Sequence, residues 1–524
     1  MNIDPERLAW HLPDPEAARE QALADLAAAR AEQDTEAVAY NERLLSRIGT
    51  IRRERQVHLT LEDALHRALA SSYALKVQRY NPAVETTRLV EAEAVFDATF
   101  FTNITYNKID RPTGSQLIAA DTTLFDSTYG LRKLLPTGGL VTGSYGLRRT
   151  KTALSFQTIN PEYFSNLALE IRQPLLRGFG LDVNRAAIMV ANNSRSMSHM
   201  AFRREVRDTL RSVEEAYWRL AEARRNVVIT ARVLAEFEAI YEYLWARRNF
   251  DVLPVQLAAT KSRLERSRAD FVVVRAAVRD AEDRLIALLN DPALNLADHT
   301  ELIVDDFPSR APIQVDRLGE VQAALENRPE IKEQELVVAN AKIGVGSAKN
   351  AELPRLDVVF RYTVDGLAGN ADGSFDELSR NRFIEYFVGV EIELPVGNRA
   401  ARAASRRADL EYSQARAQLE SLFETIILEV TLATRALTTA YDQLPPLFAS
   451  VESSEQEVRS TVARAERKDL NTLNSELSAR ESLAANRRAV MKALIDYNIA
   501  IIDLERAKGT LLRYNNVVIP DGEG

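Results

Sequence analysis

Hydrophobic residues recur along this chain in two rhythms, one of period seven and one of period two, and the two predict different elements. Val206, Leu210, Val213, Tyr217, Leu220, Arg224, Val227, Ala231, Leu234, Glu238, Tyr241 and Trp245 keep coiled-coil spacing with two polar interruptions. A return helix repeats it with Leu257, Thr260, Leu264, Ser267, Phe271, Val274, Val278, Ala281, Leu285 and Leu288. Leu483, Val490, Leu494, Tyr497, Ile501, Leu504 and Leu511 carry the same theme near the C-terminus. At about 1.5 Å per residue, helices of about 60 residues reach roughly 90 Å, more than an ordinary globular domain uses.

Period two governs shorter stretches. In 355–364, Leu356, Val358, Phe360, Tyr362 and Val364 oppose Arg355, Asp357, Arg361 and Thr363, which share their face with Val359. In 386–394, Tyr386, Val388, Val390, Ile392 and Leu394 oppose Phe387, Gly389, Glu391 and Glu393. Ala98, Phe100, Ile104 and Tyr106 oppose Thr99, Phe101, Asn103 and Thr105, and Leu167, Leu169 and Ile171 oppose Glu170 and Arg172. Residues 125–150 read as a hairpin turning at Pro136, Thr137, Gly138 and Gly139, which adds strands or forms an external loop; added strands are favoured. A soluble sheet with one face on a core alternates in the same way. Coiled-coil flanks offer such a sheet no globular layer to cover, so tilted transmembrane strands are the better reading.

The elements recur in order. Residues 59–106 match 315–362 without a gap, with Ala68/Ala324, Leu69/Leu325, Lys76/Lys332, Gln78/Gln334, Ala83/Ala339, Ala92/Ala348 and Tyr106/Tyr362 identical. LALEIRQPL at 167–175 parallels VGVEIELPV at 388–396, and NFDVLPV at 249–255 parallels RKDLNTL at 467–473. The fold class expected is mainly α with transmembrane β, in two tandem helix–strand–strand–helix repeats with long antiparallel coiled-coil helices. Residues 1–56 form an N-terminal helical extension, with Asp14-Pro15 as a helix start. An exposed extension is the plain reading, and wrapping around a tunnel or anchoring to the cell wall the functional one. Repeat 1 covers 57–304, with a helix at about 60–95, strands at about 97–108 and 166–174, and a helix pair at about 181–290. Repeat 2 covers 305–512, with a helix at about 316–352, strands at 355–364 and 386–394, and a helix pair at about 398–511; 513–524 is a tail.

Composition narrows the function. Few breakers, Gly 20 and Pro 18 in 524 residues, suit long helices. A formal charge of -8 gives no basic footprint for nucleic acid. Cys is 0, and His11, His58, His66, His199 and His299 lack ligand spacing, so no metal site or other cofactor is expected. No P-loop, G-x-S-x-G or dinucleotide fingerprint occurs, and no enzyme is expected. Asp305 and Asp306 read as solvated linker acids, and Arg402, Arg406 and Arg407 as a solvated helix face. No run of eighteen apolar residues marks a membrane helix, which leaves a barrel open. The start, MNIDPERLAWHLPDPEAARE, lacks a basic n-region and apolar h-region, and read alone predicts a cytoplasmic chain.

Two copies of helix, strand pair and long antiparallel coiled coil, over roughly residues 57–512, resemble the TolC-like outer-membrane efflux protein family. NRPEI (327–331) resembles its helix start, RLDVVFRYTV its first strand, VGVEIELPVGNRA and LEIRQPLLRGFG its second-strand exits, and ERAKGTL (505–511) the end of its last long helix. The resemblance implies a homotrimer with a shared outer-membrane β-barrel and a periplasmic α-barrel tunnel. It also implies partners in outer-membrane lipid, a periplasmic adaptor (membrane fusion) protein and an inner-membrane pump, in efflux or type I secretion. The charged strand positions Glu170, Arg172, Asp357, Arg361, Glu391 and Glu393 are the candidate pore lining. The family's two tip glycines fall at Asp251 and Asp469, and its acidic gate at Ser475 and Ser478 with Glu476 between, so these five are candidates for the periplasmic tip or docking surface. Helix capping is the plainer role for Asp251 and Asp469. The competing function is a soluble coiled-coil scaffold with a small dimerising sheet.

Overall fold

The computed structural model describes residues 14–53, 55–114, 118–154, 156–296, 300–464 and 470–519. In chain order they form α1 (Pro15–Ala31), α2 (Thr35–Ile48), β1 (Gln56–Leu59), α3 (Leu61–Ser71), α4 (Tyr73–Glu93), β2 (Thr99–Asp110), β3 (Asp121–Leu134), β4 (Leu140–Thr152) and β5 (Glu162–Pro174). Then come α5 (Leu181–Asn184), α6 (Ala186–Ala246), α7 (Pro254–Leu289), β6 (Glu301–Val304), α8 (Arg317–Asn327), α9 (Pro329–Glu352), β7 (Arg355–Ala368) and α10 (Ala371–Ser379). β8 (Phe383–Glu393), α11 (Arg399–Arg464), α12 (Leu470–Lys508) and α13 (Leu511–Tyr514) complete the order. The protein is thus mainly helical, with two separate sheets.

Two expected helices are each broken. The helix expected at 60–95 divides at Ser72, whose backbone is extended (ψ 123°). The one expected at 316–352 divides at Arg328, because a residue before proline is driven out of the helical region, and Pro329 then opens α9. The strands begin and end a few residues from the expected limits. The hairpin expected at 125–150 supplies β3 and β4, which are full members of the sheet and not an external loop.

The chain divides into two compact units. One comprises Asn81–Met200 and Ile331–Ser421 and holds a six-stranded antiparallel sheet in the order β2-β3-β4-β5-β7-β8. Its register places Glu170 opposite Arg361 and Asp357 opposite Glu391, so the charged positions share one wall. The other wall carries Phe100, Leu131, Leu169, Tyr362 and Tyr386 across one row. This wall is open: Tyr386 is 75% exposed, Ile392 73% and Val388 66%. Helix α10, which the sequence pattern did not suggest, lies on that wall at the end where the strands are linked by the 369–382 connection. Ser165 Oγ and Ser374 Oγ are 2.6 Å apart, and the Tyr145 and Phe375 rings meet edge-on at 6.1 Å. Gly366 makes room for it, since a Cβ there would run into the carbonyl of Ser374.

The other unit comprises the described residues up to Tyr80, Ala201–Glu330 and those from Leu422 onward. The seven-residue stripe is buried from Val206 through Leu234 and fades beyond it, where Trp245 is exposed. α7 and α12 contribute Leu264, Phe271, Val278, Leu285, Val490, Met491 and Ile495 to the same core. β1 and β6 form a parallel pair, Gln56 with Glu301 through Leu59 with Val304. Around them sits a buried ionic group. Arg224 Nη1 donates to Glu301 Oε1 at 3.1 Å and to the Leu302 carbonyl at 3.0 Å. Glu301 Oε2 accepts from the Arg53 backbone N–H and from Gln56 Nε2. Of the two linker acids, Asp305 is exposed as expected and meets His58 at 2.9 Å, whereas Asp306 turns inward and accepts from the first N–H of α3 and from the Tyr217 hydroxyl, both at 2.6 Å. An orphan helix N–H and a buried phenol draw that carboxylate inward.

The N-terminal helices are not an exposed extension. Asp14 caps α1 with Pro15 at its first position, as the sequence indicates. However, Ala18, Ala22, Leu44 and Ile48 enter the main core, and Arg43 and Arg47 pair with Glu242 and Glu238 of α6. Arg402, Arg406 and Arg407 are exposed, as expected of a solvated face. At the C-terminal end, Gly509 takes the left-handed backbone (φ 76°) that ends α12 against Asn327, and Asn515 donates to buried Glu214 at 2.6 Å.

Burial pushes the Glu214 carboxyl up to about 7, against one opposing hydrogen bond from Asn515. A carboxyl with a raised folded-state pKa binds its proton more tightly in the native state, so stability is fullest below its ordinary value and falls as pH rises through about 7. Glu214→Gln should therefore flatten the pH dependence of unfolding between about 4.5 and 7, by on the order of 3 kcal/mol at most. Urea unfolding of wild type and variant at pH 5 and pH 8 measures this, and equal slopes would contradict it.

Candidate functional site

Two groups of candidate residues come together, one in each unit. On the charged wall of the sheet, Arg172 is the centre. It pairs with Glu391 and lies 3.6 Å from Asp357 and 4.0 Å from Glu170. Arg361 holds Glu170 at 2.6 Å. Arg355 donates to Asp357 at 2.9 Å and stands 3.8 Å from Glu393. All six expected wall residues therefore form one ion-pair chain across β5, β7 and β8. Strand alternation supplies the common face and register supplies the pairing, since residues opposite each other in an antiparallel pair lie close enough for side chains to interact. Asp357 is buried; its partners Arg172 and Arg355 keep its charge compensated.

The same cluster lines a cleft of about 520 Å³ with Arg177, Gly178 and Asn184, where β5 leaves the sheet. Arg355 and Arg177 belong to this charged group and were not among the site residues expected from the sequence. Arg355 was legible as a face-sharing residue of β7; Arg177 lies in an irregular exit and carries no periodic signal. Counting Arg172, Arg355 and Arg361 against Glu170, Asp357, Glu391 and Glu393, this ion-pair chain carries one net negative charge.

The second group surrounds the turn between α6 and α7. Asp251 does not cap α7: that helix begins at Pro254 behind Leu253, and no side-chain cap is made. Instead Asp251 accepts from Arg247, four residues back and just past the end of α6. Proline at the first helical position removes one of the orphan N–H groups a cap would serve. Asp469 lies outside the described residues. Glu476 is buried and holds Arg480 at 2.8 Å, while Arg480 also reaches Glu236 at 2.9 Å. Ser478 is exposed and accepts from Arg263 at 3.2 Å, and Ser475 is exposed beside it.

Asp251 and Glu476 face one cleft of about 670 Å³. Its floor is apolar, with Ala239, Ile240, Leu244, Val462 and Leu473, and its rim carries Glu36, Arg43, Glu242 and Arg247. Thr35, Glu36, Ala39 and Arg43 come from α2, so the N-terminal segment builds one side of the cleft. Sequence reasoning missed this contribution, because α2 is placed by the burial of Leu44 and Ile48 and by the pairing of Arg43 and Arg47 with α6, contacts across some 190 residues or more that no local pattern encodes.

Among the described residues no group of three or more His, Asp or Glu could hold a metal ion, and no helix is long and apolar enough to cross a membrane. An antiparallel sheet with one apolar wall and one charged wall has the pattern of transmembrane β-barrel strands, and the chain also holds helices of 61 and 66 residues. Residues 321–510 match the model of the outer membrane efflux protein family. The outer membrane protein TolC of Vibrio cholerae serotype O1 is 21% identical over 305 residues, covering 53% of this chain and 68% of that protein. The solvent efflux pump outer membrane protein SrpC of Pseudomonas putida is 30% identical over 166 residues, 30% of this chain and 32% of that protein. Among solved structures, a membrane protein from Pseudomonas aeruginosa superposes with a TM-score of 0.64 at 20% identity, over 86% of this chain and 93% of that one. VceC of Vibrio cholerae gives 0.61 at 17%, over 86% and 96%. Residues 321–510 thus resemble the outer membrane efflux protein family, and the fold of the chain is that of the solved outer-membrane proteins on which it superposes. These matches favour the outer-membrane channel reading over the soluble-scaffold alternative.

Proposed function

We propose that the chain is one subunit of a homotrimeric, non-enzymatic conduit that carries cargo from the periplasm to the exterior, within a tripartite efflux or type I secretion system. The observation that carries this reading is the sheet itself. Its two edge strands, β2 and β8, run antiparallel to each other, so β8 of one copy can pair with β2 of the next. One copy cannot close a barrel, and lipid leaves no edge unpaired. Three copies of six strands make a barrel of about eighteen, a size that leaves an aqueous channel.

In that barrel the apolar wall faces lipid and the charged wall, with Glu170, Arg172, Asp357, Arg361, Glu391 and Glu393, lines the pore. The two halves of the chain descend from one duplication, the first copy having gained the β3–β4 hairpin. The helix pairs of three copies form the periplasmic tunnel. The cleft at the α6–α7 turn, with Asp251, Glu476, Ser475 and Ser478 on or near it, is the docking surface for a periplasmic adaptor that links the channel to an inner-membrane pump, and Asp469 shares that role. Transport energy comes from the pump, since no nucleotide-binding motif occurs in the sequence.

Glu391→Lys with Glu393→Lys changes the ion-pair chain from one net negative charge to three net positive per protomer, and should turn single-channel selectivity toward anions in planar bilayers. Arg172→Gln should move it the other way, toward cations. Unchanged reversal potentials in both variants would remove this wall from the pore.

Asp251→Arg with Glu476→Gln should weaken co-purification of the adaptor from the native host by about tenfold, roughly 1.4 kcal/mol, while single-channel conductance stays at the wild-type value. Wild-type adaptor recovery would place docking elsewhere.

A further inference from the structure

The outer end of the apolar wall changes character in a fixed order. First comes a row that mixes aromatic and basic side chains, in which Tyr106 pairs with Phe125 and Arg149 with Tyr163, the two pairs joined through Phe125 and Arg149. One step further out, Lys108 pairs with Thr123 and Thr123 with Lys151. Side chains alternate along a strand, so Lys108, Arg149 and Lys151 all project from the wall that carries the apolar band.

These three cations are not balanced by acids. Among the described residues none of them makes an ion pair, whereas Arg148, next to Arg149 and on the opposite wall, holds Asp126 at 2.7 Å. The Arg149 guanidinium lies over the Tyr163 ring at 5.9 Å, and its buried Nε has no hydrogen-bond partner. The acids Asp110 and Asp121 stand opposite each other one step nearer the loops, so a group rising from the membrane meets the cations first.

We propose that Lys108, Arg149 and Lys151 form a phosphate-binding rim for phosphorylated lipid headgroups of the outer leaflet. The inference rests on the reading of the apolar wall as the lipid-facing one. An aromatic row at the interface fixes the depth of the wall in the bilayer, and cations immediately beyond it sit at headgroup level. Arginine takes phosphate oxygens in its planar fork, and lysine adds point charge. Each basic side chain near an anionic surface adds affinity, so three together yield a marked preference for phosphorylated lipid.

The test uses the assembled full-length protein in detergent, titrated with phosphorylated lipid A, with the same lipid after removal of its phosphates, and with inorganic phosphate alone, bound lipid being counted by native mass spectrometry. Wild type should bind the phosphorylated lipid about tenfold or more tightly than the dephosphorylated one. Lys108→Gln with Arg149→Gln and Lys151→Gln should lose that preference, and Lys108→Arg with Lys151→Arg should keep it. Lys133→Gln, on the same wall at the opposite end, should bind like wild type. Single-channel conductance of every variant should match wild type, which shows that the barrel has assembled. Equal binding of both lipids by wild type, an undiminished preference in the triple variant, or inorganic phosphate binding as tightly as the lipid would overturn the rim. A wild-type protein with no conductance at all would instead overturn the lipid-facing reading beneath it.

Discussion

Hydrocarbon has no water to offer a peptide group, so every strand that crosses it must have a neighbour on both sides. In the barrel proposed for this chain that constraint falls on β2 and β8, the two edges of a six-stranded sheet. An even strand number with antiparallel neighbours lets identical copies join edge to edge without reversing direction, which an odd number would forbid. The extra hairpin respects this rule because it adds strands in a pair. A single added strand would have made the edges parallel and placed the following helix at the wrong end of the sheet.

The same constraint explains which parts of the fold were legible. Strand faces were readable because a lipid-facing position tolerates little but apolar side chains, so Phe100, Leu169, Tyr362 and Val388 alternate against polar partners with few exceptions. The long helices were readable because a seven-residue stripe is a strict repeat. What escaped was short or non-local. β1 and β6 are four residues each, too brief to show a period, and they are specified by a parallel pairing across some 245 residues. Asp306 looked like a linker acid because the groups that bury it, Tyr217 and the start of α3, lie far away in sequence. α10 contains two serines and a glycine and owes its place to a seat on the sheet, where Gly366 and Ser165 leave room. The charged wall was legible residue by residue, whereas the cleft at the α6–α7 turn was legible only in part, because α2 reaches it through long-range contacts that no local pattern announces.

The helical unit answers a different demand. A coiled coil held by apolar stripes alone can slide by a heptad, and long uniform stripes make that slip cheap. Here the stripe is interrupted at Arg224, a fully buried guanidinium whose carboxylate partner Glu301 stands on β6. Slippage of α6 would leave Arg224 without that carboxylate, and an uncompensated buried charge costs about 3–5 kcal/mol. Glu282 on α7 adds to the lock: it accepts from the Leu302 N–H at 3.2 Å and stands 3.5 Å from Arg53. Burial pushes this carboxyl up to about 7, so the arrangement is held against a desolvation cost. The interruption that weakens the heptad pattern in the sequence is therefore the feature that fixes its register in the structure. The β1–β6 pair, which presents Glu301 and Leu302 to these groups, serves that register more than it serves as a sheet.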